Sequence, residues 1–306
     1  MVHRKSCCNK ERRLSYMSVG MQKPLVSVVM PIKGCNPTFL EKSIESVLKQ
    51  TLTDLELLLI MDAVGHSFDK SLLNVLERFK NDERLRLIAN KQRGFVGALN
   101  TGLSVARGKY IARMDGDDIS LPHRLELQVE TIEKEKLDFV GGWAYVINEQ
   151  GETVGKLTPP TDAQTIKRRI MLHNPFLHSS VTFKKSILAY SGLYNQALLG
   201  AEDYELWLRL ISLGYVCVNL PNFVLLLREA SNSILRGNKW KTTRANYAKA
   251  KVMGLTRWGY HDPLSITCCF AGPFSLIVGP RMALDLKLFL RWFNKTSSNQ
   301  RTAFGG

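Results

Sequence analysis

Four short apolar runs, separated by segments with helical spacing, constrain the fold of this chain more than any other feature. They are residues 25–32 (LVSVVMPI), 55–61 (LELLLIM), 84–88 (RLRLI) and 109–114 (KYIARM). Runs this short and this rich in aliphatic side chains read as strands buried on both faces. Between them, 38–49 carries Phe39, Leu40, Ile44, Val47 and Leu48 at helical spacing, and 69–80 and 95–107 read as helices too. Regular strand–helix alternation implies a parallel sheet with crossover helices, an α/β fold. Ligands of such sheets bind outside the carboxyl ends of the strands. Pro31, Asp62 and the run Asp115-Gly116-Asp117-Asp118 lie there.

The alternation loosens after residue 138. A strand is expected over 138–147, a turn around Gly151 and Gly155 before Pro159-Pro160, and helices over 162–171, 203–213 and 241–254.

Asp115-Gly116-Asp117-Asp118 puts three carboxylates into four residues directly after an apolar strand. Such a group is self-repelling unless a cation sits in it. Mg²⁺ and Mn²⁺ prefer oxygen ligands and commonly bridge carboxylates to phosphates. The alternative is an acidic turn that caps a helix starting near Leu121-Pro122. Glu202-Asp203 opens a helix, where acids suit the macrodipole; a carboxylate there is also a candidate general base for an attacking hydroxyl. Trp207 reads as core more readily than as a sugar platform, His178 as a structural histidine, and Asp62 as either a turn former or a contact to a nucleobase.

Charge is unevenly placed. The chain has 306 residues and a net charge of +15. Residues 1–24 carry six Lys/Arg against one acid, 236–258 seven against none, and 281–306 five against one, whereas 25–235 is balanced. A neutral body with basic ends argues against a nucleic-acid-reading domain and for attraction to an anionic membrane surface. Residues 1–23 are basic and polar without an apolar run, so they read as a disordered tail rather than a secretory leader. The six cysteines form no metal-binding or disulfide pattern, which fits a reducing compartment.

Five separated segments resemble family 2 glycosyltransferases, in the family's order, across about residues 25–228. They are VSVVMPIKGCN with the helix FLEKSIESVLKQT, DLELLLIMDA, GFVGALNTGLSVARGKYIARMDGDDISLPHRLELQ, HSSVTFKKS and AEDYELWLRLISLGYVCVNLP. The subgroup resembles bacterial enzymes of lipopolysaccharide and exopolysaccharide synthesis. The resemblance implies a GT-A fold, a mostly parallel Rossmann-like sheet flanked by helices, here with a helical C-terminal extension. It implies an inverting, metal-dependent transfer from a nucleotide-diphospho-sugar, most often a UDP-sugar, to a lipid-linked or polysaccharide acceptor. Carried onto this chain, Asp117 and Asp115 would bind Mn²⁺ or Mg²⁺, and Asp203 would be the base with Glu202 beside it. Pro31, Asp62, Gly94 and Asn100, with Asp115 and Gly116, would bind the nucleotide sugar. The chain departs from the family at Lys33-Gly34-Cys35-Asn36 and at Met61-Asp62-Ala63-Val64, where one of two paired acids is missing. A nucleotidyltransferase and a catalytically inactive binding module are the competing readings; the first lacks its Gly-rich, Arg- and Lys-bearing loop here.

Three regions are therefore expected: a tail over 1–23, the glycosyltransferase domain over 24–235, and a basic and apolar helical region over 236–306. Within the last, 263–280 is uncharged but interrupted by Pro273 and Pro280, which disfavours a spanning helix. Residues 281–293 mix cations with large apolar side chains and suit an interfacial helix. The expected location is cytoplasmic, peripheral on the inner face of the cell membrane.

Overall fold

The computed structural model describes residues 23–32, 34–61, 70–90, 92–229 and 240–268. The expectations for Asp62, for nearly all of the N-terminal tail and for the segment from 269 onward lie outside these residues.

The first half follows the alternation closely. Strands β1 (Val26–Ile32), β2 (Leu55–Met61), β3 (Leu85–Ala89) and β4 (Tyr110–Arg113) alternate with helices α1 (Pro37–Leu48), α2 (Lys70–Arg78) and α3 (Gly94–Val105). The four strands are parallel, with β1 between β2 and β4. All seven residues of β1 and of β2 are buried, as expected for strands covered on both faces. Successive side chains in a strand point to opposite faces. Val28 and Met30 accordingly join one core with Leu40, Ile44 and Val47 of α1. Val29 joins the other with Val96, Leu99 and Leu103 of α3. At the amino edge of the sheet, Glu56 is buried between Arg86 and Arg107 and accepts from the Ser27 hydroxyl at 2.6 Å. Burial pushes this carboxyl up, but the Ser27 hydroxyl, the Arg107 amide and Arg86 outweigh it and hold it below its usual value.

The second half runs β5 (Ile119–Ser120), α4 (Arg124–Lys134), β6 (Phe139–Ile147), β7 (Thr153–Leu157), α5 (Ala163–Arg169), β8 (Thr182–Lys184), α6 (Leu188–Ser191), α7 (Glu202–Ser212), β9 (Cys217–Arg228) and α8 (Trp240–Trp258). It completes one nine-stranded sheet in the order β3-β2-β1-β4-β8-β6-β9-β5, with β7 on β6. β8 is antiparallel to β4, and β6 and β9 run parallel to each other. Chain direction out of β1 reverses between β2 and β4, so the switch point of the sheet lies at the carboxyl ends of β1 and β4.

Three local expectations are corrected. Gly155 lies inside β7, paired with Val146, rather than in a turn. The helix after the acidic turn starts at Arg124, not near Leu121, because Ile119 and Ser120 first pair with β9. Its N-cap is His123 with no side-chain cap bond, so Asp115, Asp117 and Asp118 do not serve as its caps. Among the described residues no helix is long and apolar enough to cross a membrane. α8 instead packs on α7, and Ala250 and Tyr260 are buried in the same core as α3 and α7.

Candidate active site

The acidic turn leaves β4 at the switch point. Its seat is tight: a Cβ on Gly116 would meet Cys35 Sγ at 3.0 Å, Ile32 at 3.3 Å and Leu40 at 3.3 Å. The Ser43 hydroxyl of α1 donates to the Asp115 carbonyl at 2.8 Å. β1 and α1 thereby fix the turn, and a side chain at its second position would have to push these neighbours aside.

Carboxylate oxygens of Asp115, Asp117 and Asp118 lie within 4.8 Å of one another. Their surroundings separate them. Asp118 is buried; its Oδ1 accepts the Arg228 amide at 2.8 Å, and the Ser179 hydroxyl also bonds it. Burial, with the charges of Asp115 and Asp117, pushes this carboxyl to about 8. Asp117 is raised by burial first and by Asp115 second. Asp115 is half-buried, its side chain 33% exposed, and it pairs with Arg113.

Three arginines brace the turn. Arg113, 3% exposed, ends β4 over the Phe95 ring, and its Nε lacks a hydrogen-bond partner among the described residues. Arg124 donates to the Arg113 carbonyl at 2.8 Å and to Gln128 at 3.1 Å. Arg228, at the end of β9, stacks 4.0 Å from the Phe39 ring centroid. It donates to the Asp117 carbonyl at 3.0 Å and to the Asn148 carbonyl at 2.7 Å. None of the three was singled out from the sequence. A charge ending an apolar run, as in YIAR and LLLR, was the available signal, since buried charges need partners.

The second acidic group opens α7. Glu202 and Asp203 are both buried. Glu202 accepts from the Gly200 amide, and burial together with the Asp203 charge raises it to about 7. Asp203 Oδ2 accepts from Asn174 at 2.7 Å; burial raises its carboxyl despite that bond and the Tyr204 amide. The loop before them is held by α8. Gly200 has φ +83°, and a Cβ there would meet Thr243 Oγ1 at 2.6 Å. Asn246 donates to the Leu199 carbonyl at 3.0 Å, Tyr247 stacks on Tyr204, and its hydroxyl bonds Asn174. Glu205, one turn on, is spent on Arg209.

Tyr194 stands between the two groups. Burial raises its phenol, which also feels Arg113, Asp203, Glu202 and Asp115. Its hydroxyl is 2.9 Å from His178 Nε2. Burial and Arg113 hold the His178 imidazole well below its usual value, hence neutral. Asn100 is committed to this scaffold: its amide bonds the Tyr194 backbone in both directions at 3.0 Å. Pro31 is buried within β1, in register with Ile60. Gly94 has φ +82° at the start of α3, and its carbonyl accepts from Asn90 at 3.3 Å. Trp207 is fully buried, stacked 5.3 Å from Phe139, and is core. The structure thus brings Asp115, Gly116, Asp117, Glu202 and Asp203 to one region, with Asn100 and His178 as struts beneath it.

A twisted, mostly parallel sheet with an acidic turn at its switch point and a second acid pair beyond it is the GT-A architecture of glycosyltransferases. The sequence model described as "Glycosyl transferase family 2" matches residues 27–189, and the chain belongs to that family. It is 34% identical over 218 residues to the amylovoran biosynthesis glycosyltransferase AmsE of Erwinia amylovora, covering 71% of this chain and 78% of AmsE. It is 31% identical over 229 residues to the Escherichia coli UDP-Glc:alpha-D-GlcNAc-diphosphoundecaprenol beta-1,3-glucosyltransferase WfgD, covering 74% and 85%. In fold it matches the mannosyltransferase PcManGT of Pyrobaculum calidifontis, solved with GDP-Man and Mn²⁺. The TM-score is 0.55 at 16% identity, over 89% of this chain and 81% of that one.

Proposed function

We propose that the chain moves a sugar from a UDP-sugar, with inversion, to a lipid-linked or polysaccharide acceptor in the assembly of a surface polysaccharide. The carrying observation is that two acidic groups of different character face one region at the carboxyl edge of the sheet. AmsE and WfgD, whose names specify a polysaccharide and a diphospholipid acceptor, support the substrate class.

The turn suits a hard divalent cation, because it offers crowded carboxylate oxygens and two of its acids are pushed upward in its absence. Asp115 and Asp117 would hold Mn²⁺ or Mg²⁺, since Asp118 is already committed to Arg228 and Ser179. The cation would neutralise charge on the diphosphate. The chain's own residues do the rest. Arg228 and Ser43 keep the turn in place. Pro31, near the end of β1, and Gly94, at the start of α3, border the nucleotide. Asp203 takes the proton of the acceptor hydroxyl as that oxygen forms its bond to the anomeric carbon. The bond from that carbon to the phosphate oxygen breaks, and nucleoside diphosphate leaves. A base works best with a proton affinity near the working pH, which burial of the Glu202–Asp203 pair favours. The basic C-terminal region, acid-free over 236–258, supports a peripheral position on the inner face of the membrane.

Release of nucleoside diphosphate from a panel of nucleotide sugars tests the reading. Release that needs a divalent cation and is fastest with a UDP-sugar is expected. No release with any donor would favour the inactive binding module.

A further inference from the structure

A groove of about 590 Å³ lies between the turn Gln196–Leu198 and α8. Its lining is mainly apolar, with Leu198, Ala245, Ala248 and Met253. Val252 stands in it 48% exposed. Lys249 and Arg257 are its charged members. No acid lines the groove, and none occurs in the sequence between Glu229 and Asp262.

The elements that form this groove also hold the acid pair. The turn Gln196–Leu198 runs directly into Leu199 and Gly200. On its other side α8 grips those residues through Asn246 and Thr243. The groove and Glu202–Asp203 therefore lie on either side of one short loop.

We infer that the groove seats the first isoprenoid units of a polyprenyl-diphosphate-linked acceptor, with Lys249 and Arg257 at its phosphates. This rests on the glycosyltransferase reading above and names the part of the acceptor that is recognised. An open apolar trough with cations and no acids suits an anionic amphiphile. Leu198 and Met253 already belong to the core beneath, so the surface a ligand would cover is centred on Val252, 48% exposed, which an aliphatic chain covers more fully than a free glycan does. A lipid anchored here places the sugar next to its diphosphate beside Asp203, because a single loop separates the two.

The test is binding of farnesyl diphosphate and of inorganic diphosphate to the full chain, in EDTA so that the acidic turn cannot take either through a metal. Farnesyl diphosphate should bind at least about tenfold more tightly than inorganic diphosphate. Ala248→Trp, which fills the groove, should weaken farnesyl diphosphate by about tenfold and inorganic diphosphate by less than twofold. Lys249→Glu with Arg257→Glu, on the helix surface, should weaken both. Equal binding of the two probes, or wild-type affinity in Ala248→Trp, would overturn the proposal. So would a groove closed by the chain's own C-terminal segment, in which truncation after residue 268 creates farnesyl diphosphate binding that the full chain lacks. A double charge reversal that abolishes binding to anionic vesicles but leaves farnesyl diphosphate untouched would mark a membrane-facing surface instead, and would equally sink the groove. UDP binding with Mn²⁺, measured alongside, separates the failures. If UDP binds and farnesyl diphosphate does not, the groove is wrong; if neither binds, the reading of the site falls first.

Discussion

Asp115–Asp118 and Glu202–Asp203 are both crowded carboxylate groups, yet one is set among guanidinium groups and the other among amides and hydroxyls. At the turn, Arg113 pairs with Asp115, and Arg124 and Arg228 brace the backbone beneath. At the start of α7, the partners are the Gly200 amide, Asn174 and, through Asn174, Tyr247. Guanidinium groups cannot give up their charge, yet burial and mutual repulsion still raise Asp117 and push Asp118 to about 8. Glu202, with no guanidinium partner, is raised to about 7 by burial and the Asp203 charge. The two groups therefore differ in their fixed partners, cations at the turn and neutral donors at the start of α7, more than in their readiness to take a proton.

The sharpest break in this contrast comes from exchanging their losses. Asp203→Asn should lower kcat by about 10²-fold or more, the usual scale of a general base, while leaving Mn²⁺-dependent UDP binding intact. Steady-state kinetics beside nucleotide titration checks it; equal loss of UDP affinity would make Asp203 a binding residue. Asp117→Ala should do the reverse and abolish the Mn²⁺ dependence of UDP binding. It should not lower the melting temperature of the metal-free protein, because it relieves a partly buried, repelled charge. A smaller effect is expected one step outward. Arg228→Gln removes the clamp on the Asp117 carbonyl and should weaken Mn²⁺ binding by about 10- to 100-fold, the range for partners that orient metal ligands. It should leave the acid limb of the pH–rate profile in place.

The smallest effect concerns stability. Glu202 is raised from 4.5 to about 7 in the folded protein, so the native state binds more protons than the unfolded state between those values. Stability from this group is therefore greatest below about pH 4.5 and falls as pH rises toward 7. Glu202→Gln should stabilise the metal-free protein by about 1–3 kcal/mol at pH 8 and by little at pH 4.5. Denaturant titration at the two pH values measures it. The same variant should move the acid limb of the rate profile to lower pH, since one of two interacting charges is gone. An unmoved limb would uncouple Glu202 from the base.

The first half of this molecule was far more legible than the second, for a local reason. β1 and β2 are buried on both faces and so appear as uninterrupted apolar runs, whose ends place the acidic turn. β9 is longer, at 12 residues, but Pro221 and Asn222 are exposed where its register against β6 slips between Gly142 and Ala144. That bulge breaks the pattern that would have announced a strand. β8 has only three residues and is defined by its neighbours β4 and β6. Asn100 resembles a nucleotide-contacting residue in sequence, but its bonds run to the Tyr194 backbone, a pairing that exists only once α3 meets the segment before α7; His178, read as structural, bonds the Tyr194 hydroxyl. The arginines were hidden for the same reason, because what they brace is distant in the chain.

The sheet itself carries a mechanical consequence. Its strand order runs unbroken from β3 through β4, β8 and β6 to β9 and β5, so the acidic turn and the strands bordering the acid pair belong to one hydrogen-bonded plate. A two-domain enzyme can close by rotating one lobe against the other, but a continuous ladder offers no such hinge. The spacing between the acidic turn and the Glu202–Asp203 pair is therefore a dimension of the scaffold, and ligands of different length must be accommodated by side chains and connecting loops rather than by closing the molecule around them.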